Sequence, residues 1–381
     1  LPTLSYEKRK KIILSLKFVT SVYKTTEWDF KSALEELKPE VVVHGDDWKS
    51  NNQRQSRKNV INQIKKWQGR LVEPPYTKGI SSSEIKKIVK DSLSPFLRTQ
   101  NLTRLIEAKK MIRVIEVHNG ITAHIAENSE YKNKSFDCMW LSSLTHSTSK
   151  GKPDIEYIDD TTVLNTINDI FDCTTKPLIF DGDSGGLIEH LKYTVSNLGR
   201  IGVSAIIFED KVGNKKNSLG KTSHFQKQDS IENFCKKLEI AKKNSHPSGM
   251  KIFARIESFI LNKGLEDSIA RAKEYIKAGA DGIMIHSKKK NPSEIFSFSR
   301  EYNKFPDRKP LIVVNTAYEQ VNEKKLREHG VNIVIYANQL LRSAIPAMKK
   351  TAEQILKNER SYESRKNMMS ITEILELLNN P

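Results

Sequence analysis

Between roughly residues 110 and 340, short apolar runs rich in β-formers alternate with longer amphipathic stretches. Eight such runs recur: IRVIEV (112–117), DCMWLS (137–142), PLIFDG (177–182), SAIIFE (204–209), KIFARI (251–256), GIMIHS (282–287), PLIVVN (310–315) and NIVIYA (332–337). Each is followed by a polar turn and usually by helical spacing, as in LEDSIARAKEYIKAGA. Strands alternating with helices predict parallel β/α units. Eight of them predict a closed (β/α)8 barrel, an α/β fold of the TIM type. An open doubly wound sheet is the alternative, and the lack of GxGxxG after the first run counts against it.

The first 88 residues have a different texture. VVVHGDDW (41–48) reads as a strand ending in polar residues. WQGRLVEPPYTKGISSSEI reads as a strand, a Pro-Pro break and a Gly/Ser turn before a helix. GISSS at a helix start is either a phosphate cradle or a plain N-cap. The boundary falls near Asp91–Thr99, where DSLSPFLRT carries a proline and few periodic apolar positions. The expected division is a smaller α/β segment at 1–88, a linker at 89–99, the barrel with its last helix at 100–360 and a tail helix at 361–381.

Length agrees with this division, because 381 residues suit one barrel of about 250 plus a smaller piece. The net charge of +17 admits nucleic acid as a partner. Lysine is spread along the whole chain, however, so a small anionic substrate is the better expectation and no nucleic-acid partner is predicted. No run of about 18 apolar residues occurs, so no membrane partner is expected. The start, LPTLSYEKRKK, has no apolar stretch behind its charges and is not a signal peptide; beginning with Leu, it suggests a shortened or processed chain. Cys138, Cys173 and Cys235 lie far apart without metal-ligand or disulfide spacing, and the expected compartment is the cytoplasm.

In a TIM barrel the carboxyl ends of the strands form one face, where catalysis sits. Those ends carry Glu116 and His118, Trp140 and Ser142, Asp181 and Asp183, Glu209 and Asp210, Arg255 and Glu257, then His286, Asn315 and Asn338. Asp154, Asp181, Asp183 and Glu209 are the acids with the chemistry for Mg²⁺, which takes one or two direct carboxylates and keeps several waters. D-x-D at a strand end can also simply cap the next helix; Glu209 at the end of the next strand favours metal. Arg255 interrupts an apolar strand and needs an anion, either Glu257 or a substrate phosphoryl or carboxylate gripped bidentately. His286 and Trp140 remain open between site and packing roles. EDKVGNKKNSLGKTSHF (209–225) has the length and polarity of a lid.

EVHNGITAHIAE, WLSSLTHSTSKGKPD, DGDSGG, EDKVGNKKNS, ARIESFI and IMIHSKKKNPSEI, in this order from about 110 to 355, resemble phosphoenolpyruvate mutase of the isocitrate lyase superfamily. The resemblance implies interconversion of phosphoenolpyruvate and phosphonopyruvate with Mg²⁺. Asp181 would bind the metal directly, with Asp154, Asp183 and Glu209 holding its waters. Trp140, Ser142 and Ser143 would wall the site and bind substrate oxygens. Arg255, His286 and Asn217 would surround the migrating phosphoryl, and Lys215, Asn217 and Ser218 would belong to a gating loop. A homo-oligomer, dimer or tetramer, is implied, with the helix in QLLRSAIPAMKKTAEQIL exchanged between subunits. WLSS and DGDSGG depart from the animal form of the pattern.

Two relatives of that chemistry compete. Isocitrate and methylisocitrate lyases carry a cysteine in a K-[KR]-C-G-H loop, where this chain has EDKVGNKKNS. Phosphonopyruvate hydrolase differs mainly in the gating loop, and Asn217 favours the mutase. HGDDW and YTKGISSS resemble the second half of a cytidylyltransferase-type, Rossmann-like nucleotidyltransferase. The HxGH motif that such enzymes need for triphosphate does not occur, so CTP is expected as a partner only with the missing first half.

Overall fold

The structure, a computed structural model, describes all residues except 1–5, 26–29, 50–53, 75–94, 214, 221–225, 246–248 and 379–381. The chain divides into two compact units, Leu1–Asp91 and Ser92–Pro381. In the first, parallel strands Val41–Val43 and Arg70–Val72 are joined by the helix Arg54–Ile64, which makes one β-α-β unit. Its small core is Leu34, Trp48, Val60 and Ile64. His44 stacks on Trp48 at 3.7 Å between ring centres, and Glu73 accepts bonds from Trp48 Nε1 and from Arg57. The GISSS stretch lies outside the described residues.

The second unit is a closed barrel of eight parallel strands: β1 Ile112–Val117, β2 Cys138–Leu141, β3 Leu178–Asp181, β4 Ala205–Glu209, β5 Lys251–Ile256, β6 Gly282–Ile285, β7 Leu311–Val314 and β8 Ile333–Tyr336. Neighbours in sequence are neighbours in the sheet, and β8 closes on β1. The expected TIM-type barrel is therefore present, with each strand within two residues of its predicted run. Helices follow the strands, among them α1 Gly120–Asn128, α2 Asp160–Asp172, α3 Ile188–Ile201, α4 Ile231–Asn244, α5 Gly264–Lys277, α6 Ser293–Tyr302, α7 Glu323–Glu328 and α8 Gln339–Asn358. No described helix is long and apolar enough to cross a membrane.

Side chains alternate between the two faces of a strand, and the barrel uses both faces. One set fills the interior: Ile112 and Val114, Cys138 and Trp140, Ile179, Ala205 and Ile207, Phe253, Met284, Ile312, Ile333 and Ile335. The other set, including Ile115, Met139, Leu178, Ile206, Ala254 and Ile283, packs under the helices. Part of the expected 89–99 linker is helical, because Pro95–Ala108 is a helix that starts on proline. Its Leu102 joins the interior cluster, and Arg98 donates to the carbonyls of Thr174 and Lys176 just ahead of β3. This helix thus covers the amino-terminal end of the barrel.

Candidate active site

The inward parity that places Ile179, Ile207, Phe253 and Met284 in the interior also carries Asp181, Glu209, Arg255 and His286 to its carboxyl end. These four, with Trp140, Ser142, Ser143, Asp154, Asp183, Lys215, Asn217 and Ser218, line one cavity. About 60 Å³ of it is open to water-sized occupants, room for a few waters or a compact anion. The same parity explains which strand-end residues stay outside. Asp210 faces the opposite way and accepts bonds from Arg271, Tyr275, Gln228 and the Glu257 backbone. Glu116 has inward parity but is used elsewhere: its Oε1 accepts the Leu341 N–H in the first turn of α8, and its Oε2 meets His118.

The D-G-D turn brings two carboxylates together. Gly182 fits between them because a Cβ there would come within 2.6 Å of Phe208. Asp183 has a φ of 49°, left-handed backbone that a non-glycine residue adopts at a cost. Asp181 Oδ2 accepts the Ser143 hydroxyl at 3.0 Å. Burial, together with the charge of Asp181, pushes the Asp183 carboxyl well above the usual range. Burial likewise raises Glu209 to about 7, against the pull of Arg255 and Lys211.

The lid rises from a two-stranded stem, Lys211–Val212 against Lys227–Gln228. Its described residues Lys215, Asn217 and Ser218 line the cavity. Lys215 Nζ bonds Ser143 Oγ at 2.5 Å, Asp154 Oδ1 at 2.6 Å, and Asp183. Burial alone would lower the Lys215 pKa, but Asp183, Asp181 and Asp154 outweigh it and raise it. Asn217 Nδ2 donates to Asp154 Oδ2 at 2.8 Å.

A second charge group lies below Ser218. Arg255 Nε donates to Glu257 Oε1 at 2.5 Å and its Nη2 to Ser218 Oγ at 2.7 Å, with Glu209 Oε2 at 3.3 Å. Burial opposes the Arg255 charge, yet Glu257 and Glu209 hold its pKa high. Burial would raise Glu257, but Arg255, Lys211 and His286 hold it well below the carboxylate range. His286 Nδ1 lies 2.9 Å from Arg255 Nη2 and 3.0 Å from Glu257 Oε1, and burial lowers its pKa. Of the two partners left open for Arg255, Glu257 is thus in contact. Lys211, to which sequence reasoning gave no role, is buried here between Glu209 and Glu257. Strand parity was the signal: Lys211 continues the inward series Ala205, Ile207, Glu209.

The acids suit a hard divalent cation. They are all oxygen donors lining one cavity, and Glu209 Oε1 is buried without a hydrogen bond, its charge met by the Lys211 ammonium 3.1 Å away. Among the described residues no three acidic, histidine or cysteine side chains converge at direct ligand spacing. Mg²⁺ does not require that, since it keeps several waters.

Residues 102–356 match the Phosphoenolpyruvate phosphomutase family. The chain is 32% identical to the phosphoenolpyruvate phosphomutase of Tetrahymena pyriformis over 290 residues, 76% of this chain and 94% of that protein. It is 31% identical to the phosphonopyruvate hydrolase of Variovorax sp. (strain Pal2) over 282 residues, 74% and 94%. Among solved structures, a phosphoenolpyruvate phosphomutase from Streptomyces platensis subsp. rosaceus superposes with a TM-score of 0.69 at 29% identity, covering 74% of this chain and 95% of that one. The crystal structure of a phosphonopyruvate hydrolase complexed with oxalate and Mg²⁺ gives 0.67 at 30% identity, with coverage of 74% and 95%. The chain belongs to the phosphoenolpyruvate phosphomutase family and is an enzyme of the superfamily that family shares with isocitrate lyase.

Proposed function

We propose that this protein is a phosphoenolpyruvate mutase. In that reaction the bond from phosphorus to the enol oxygen breaks and a bond from phosphorus to carbon three of the same pyruvate forms. No proton is gained or lost, so no general base is needed. Phosphoryl transfer is largely dissociative, and the protein's task is to hold spread negative charge and keep water away. Arg255, His286 and Asn217 would hold the phosphoryl. Trp140, Ser142 and Ser143 would wall the pyruvyl part, and Lys215 and Ser218 would seal the lid. Asp181, with Asp154, Asp183 and Glu209 through water, would hold Mg²⁺, which when bound offsets the negative charge of the enolate.

The observation that carries this reading is the inner surface of the closed lid. Lys215 and Ser218 are buried there, and Asn217 presents an amide, which can donate to phosphoryl oxygens but cannot activate water. A hydrolase is the second reading, supported by 31% identity to the phosphonopyruvate hydrolase against 32% to the mutase. C–C lyase chemistry is less favoured: the 2-methylisocitrate lyase of Bacillus subtilis is 26% identical, and the lid lacks cysteine. ³¹P NMR with phosphonopyruvate and Mg²⁺ separates mutase from hydrolase, because one makes phosphoenolpyruvate and the other phosphate.

The proposal includes a homo-oligomer. Along α8 only Leu341 is buried, while Ile345, Met348 and Leu356 are exposed, as expected of a helix exchanged between subunits. It also includes the first unit as part of a cytidylyltransferase-type domain, a reading supported by its HGDDW loop and single β-α-β unit.

A further inference from the structure

Lys211 is 1% exposed, although its pairing with Gln228 in the stem places it at the root of a surface loop. An ammonium is buried so fully only where several groups repay its lost hydration. Four do so. Glu209 Oε1 lies at 3.1 Å and Glu257 Oε2 at 3.5 Å, both from the barrel. Ser218 Oγ at 2.8 Å and the Lys216 carbonyl at 3.3 Å both belong to the lid. Ser218 Oγ in turn donates to Glu257 Oε2 at 2.7 Å and accepts from Arg255 Nη2. One lid oxygen is therefore shared by Lys211, Arg255 and Glu257.

The charges of this group balance only with Lys211 present. Glu209 and Glu257 face Arg255 and Lys211, two acidic side chains against two basic ones, with His286 beside Arg255 and Glu257. Without Lys211, two buried carboxylates would share one guanidinium, and Arg255 would be drawn between them instead of being held by Ser218. The lid would lose the cation that fixes its carbonyl and its serine. Lys215 and Asn217 would still grip Asp154 and Asp183 farther along the loop.

We propose that Lys211 is a positioning residue, a buried latch that holds the lid shut through Ser218 and the Lys216 carbonyl and thereby keeps Arg255 oriented in the closed cavity. It touches no reacting atom in this account. The effect on products rests on the mutase reading above; the effect on the lid does not.

The test compares the full chain with K211M, K211R, S218A and the K211M/S218A double variant, by hydrogen–deuterium exchange and by ³¹P NMR with phosphonopyruvate and Mg²⁺. In K211M the lid amides at 216–220 are expected to exchange at least about tenfold faster, with the barrel strands unchanged. The phosphate share of the products should rise. K211R should recover most of the protection, and the double variant should open the lid little more than either single change, because both remove the same contact. Lid exchange in K211M equal to wild type would overturn the latch. So would equal acceleration in lid and strands, which would mark a merely structural lysine, and so would additive effects of the two changes. Wild-type protein that makes only phosphate would overturn the mutase reading and leave the exchange test of the latch standing.

Discussion

The two ends of the barrel are built from the same eight strands and obey opposite rules. At the amino-terminal end the interior holds Leu102, Ile112, Ile179, Ala205, Phe253 and Ile333, all apolar and all buried, under a single helix. At the carboxyl end the same inward positions hold Asp181, Glu209, Arg255, Glu257 and His286, with Lys211 and Lys215 brought in by the lid. Apolar layers stabilise by burial and packing and need no partner. Buried charges stabilise little after desolvation and require every partner in place. The difference shows where the fold is held together and where that stability is spent on chemistry.

Changes at the two ends should therefore separate activity from stability. Asp181→Ala should have the largest effect: turnover falls by at least about a hundredfold and Mg²⁺ binding, followed by calorimetry, is sharply weakened. Its melting temperature should hold or rise, since repulsion against Asp183 is relieved. Full activity in chelator without added metal would contradict the metal assignment. At the other end Leu102→Ala should cost about 2–5 kcal/mol in urea unfolding through the cavity it leaves, with the products of the reaction unchanged. An altered product ratio in that variant would show that the ends are not independent.

A smaller effect tests the rule that charge at the carboxyl end must be paired. His146, in the helix Ser143–Ser149 after β2, has its Nε2 3.0 Å from the Thr166 hydroxyl, and burial lowers its pKa to about 4. The unfolded chain, with an ordinary histidine near 6.5, binds more protons than the folded one between those values. The contribution of His146 is thus fully present above about 6.5 and lost as pH falls toward 4. His146→Gln should flatten that part of the stability profile, and an unchanged slope would show that His146 does not titrate as described.

The barrel was legible because alternation of apolar runs and helical stretches reports directly on burial. The convergence of Trp140, Asp181, Glu209, Arg255 and His286 was legible because strand ends share a face. The helix Pro95–Ala108 was hidden behind a proline that reads as a break but in fact starts it. Lys211 was hidden because a lysine after two acids at a loop start reads as solvated; only its register with Ile207 and Glu209 marks it as inward. The tie from Glu116 to the Leu341 N–H spans most of the barrel sequence, and no local pattern announces it.

The most direct test of the account is the product ratio from phosphonopyruvate and Mg²⁺, followed by ³¹P NMR for wild type and for Asn217→Ala. Asn217 lines the cavity, bonded to Asp154, and under the proposed function its amide would hold the phosphoryl without activating water. The account predicts that wild type yields phosphoenolpyruvate almost alone. Asn217→Ala should lose most of that activity, about tenfold or more, and release a larger share of its residual turnover as phosphate. Wild type that makes mostly phosphate, or a variant that keeps the wild-type rate and ratio, would contradict it.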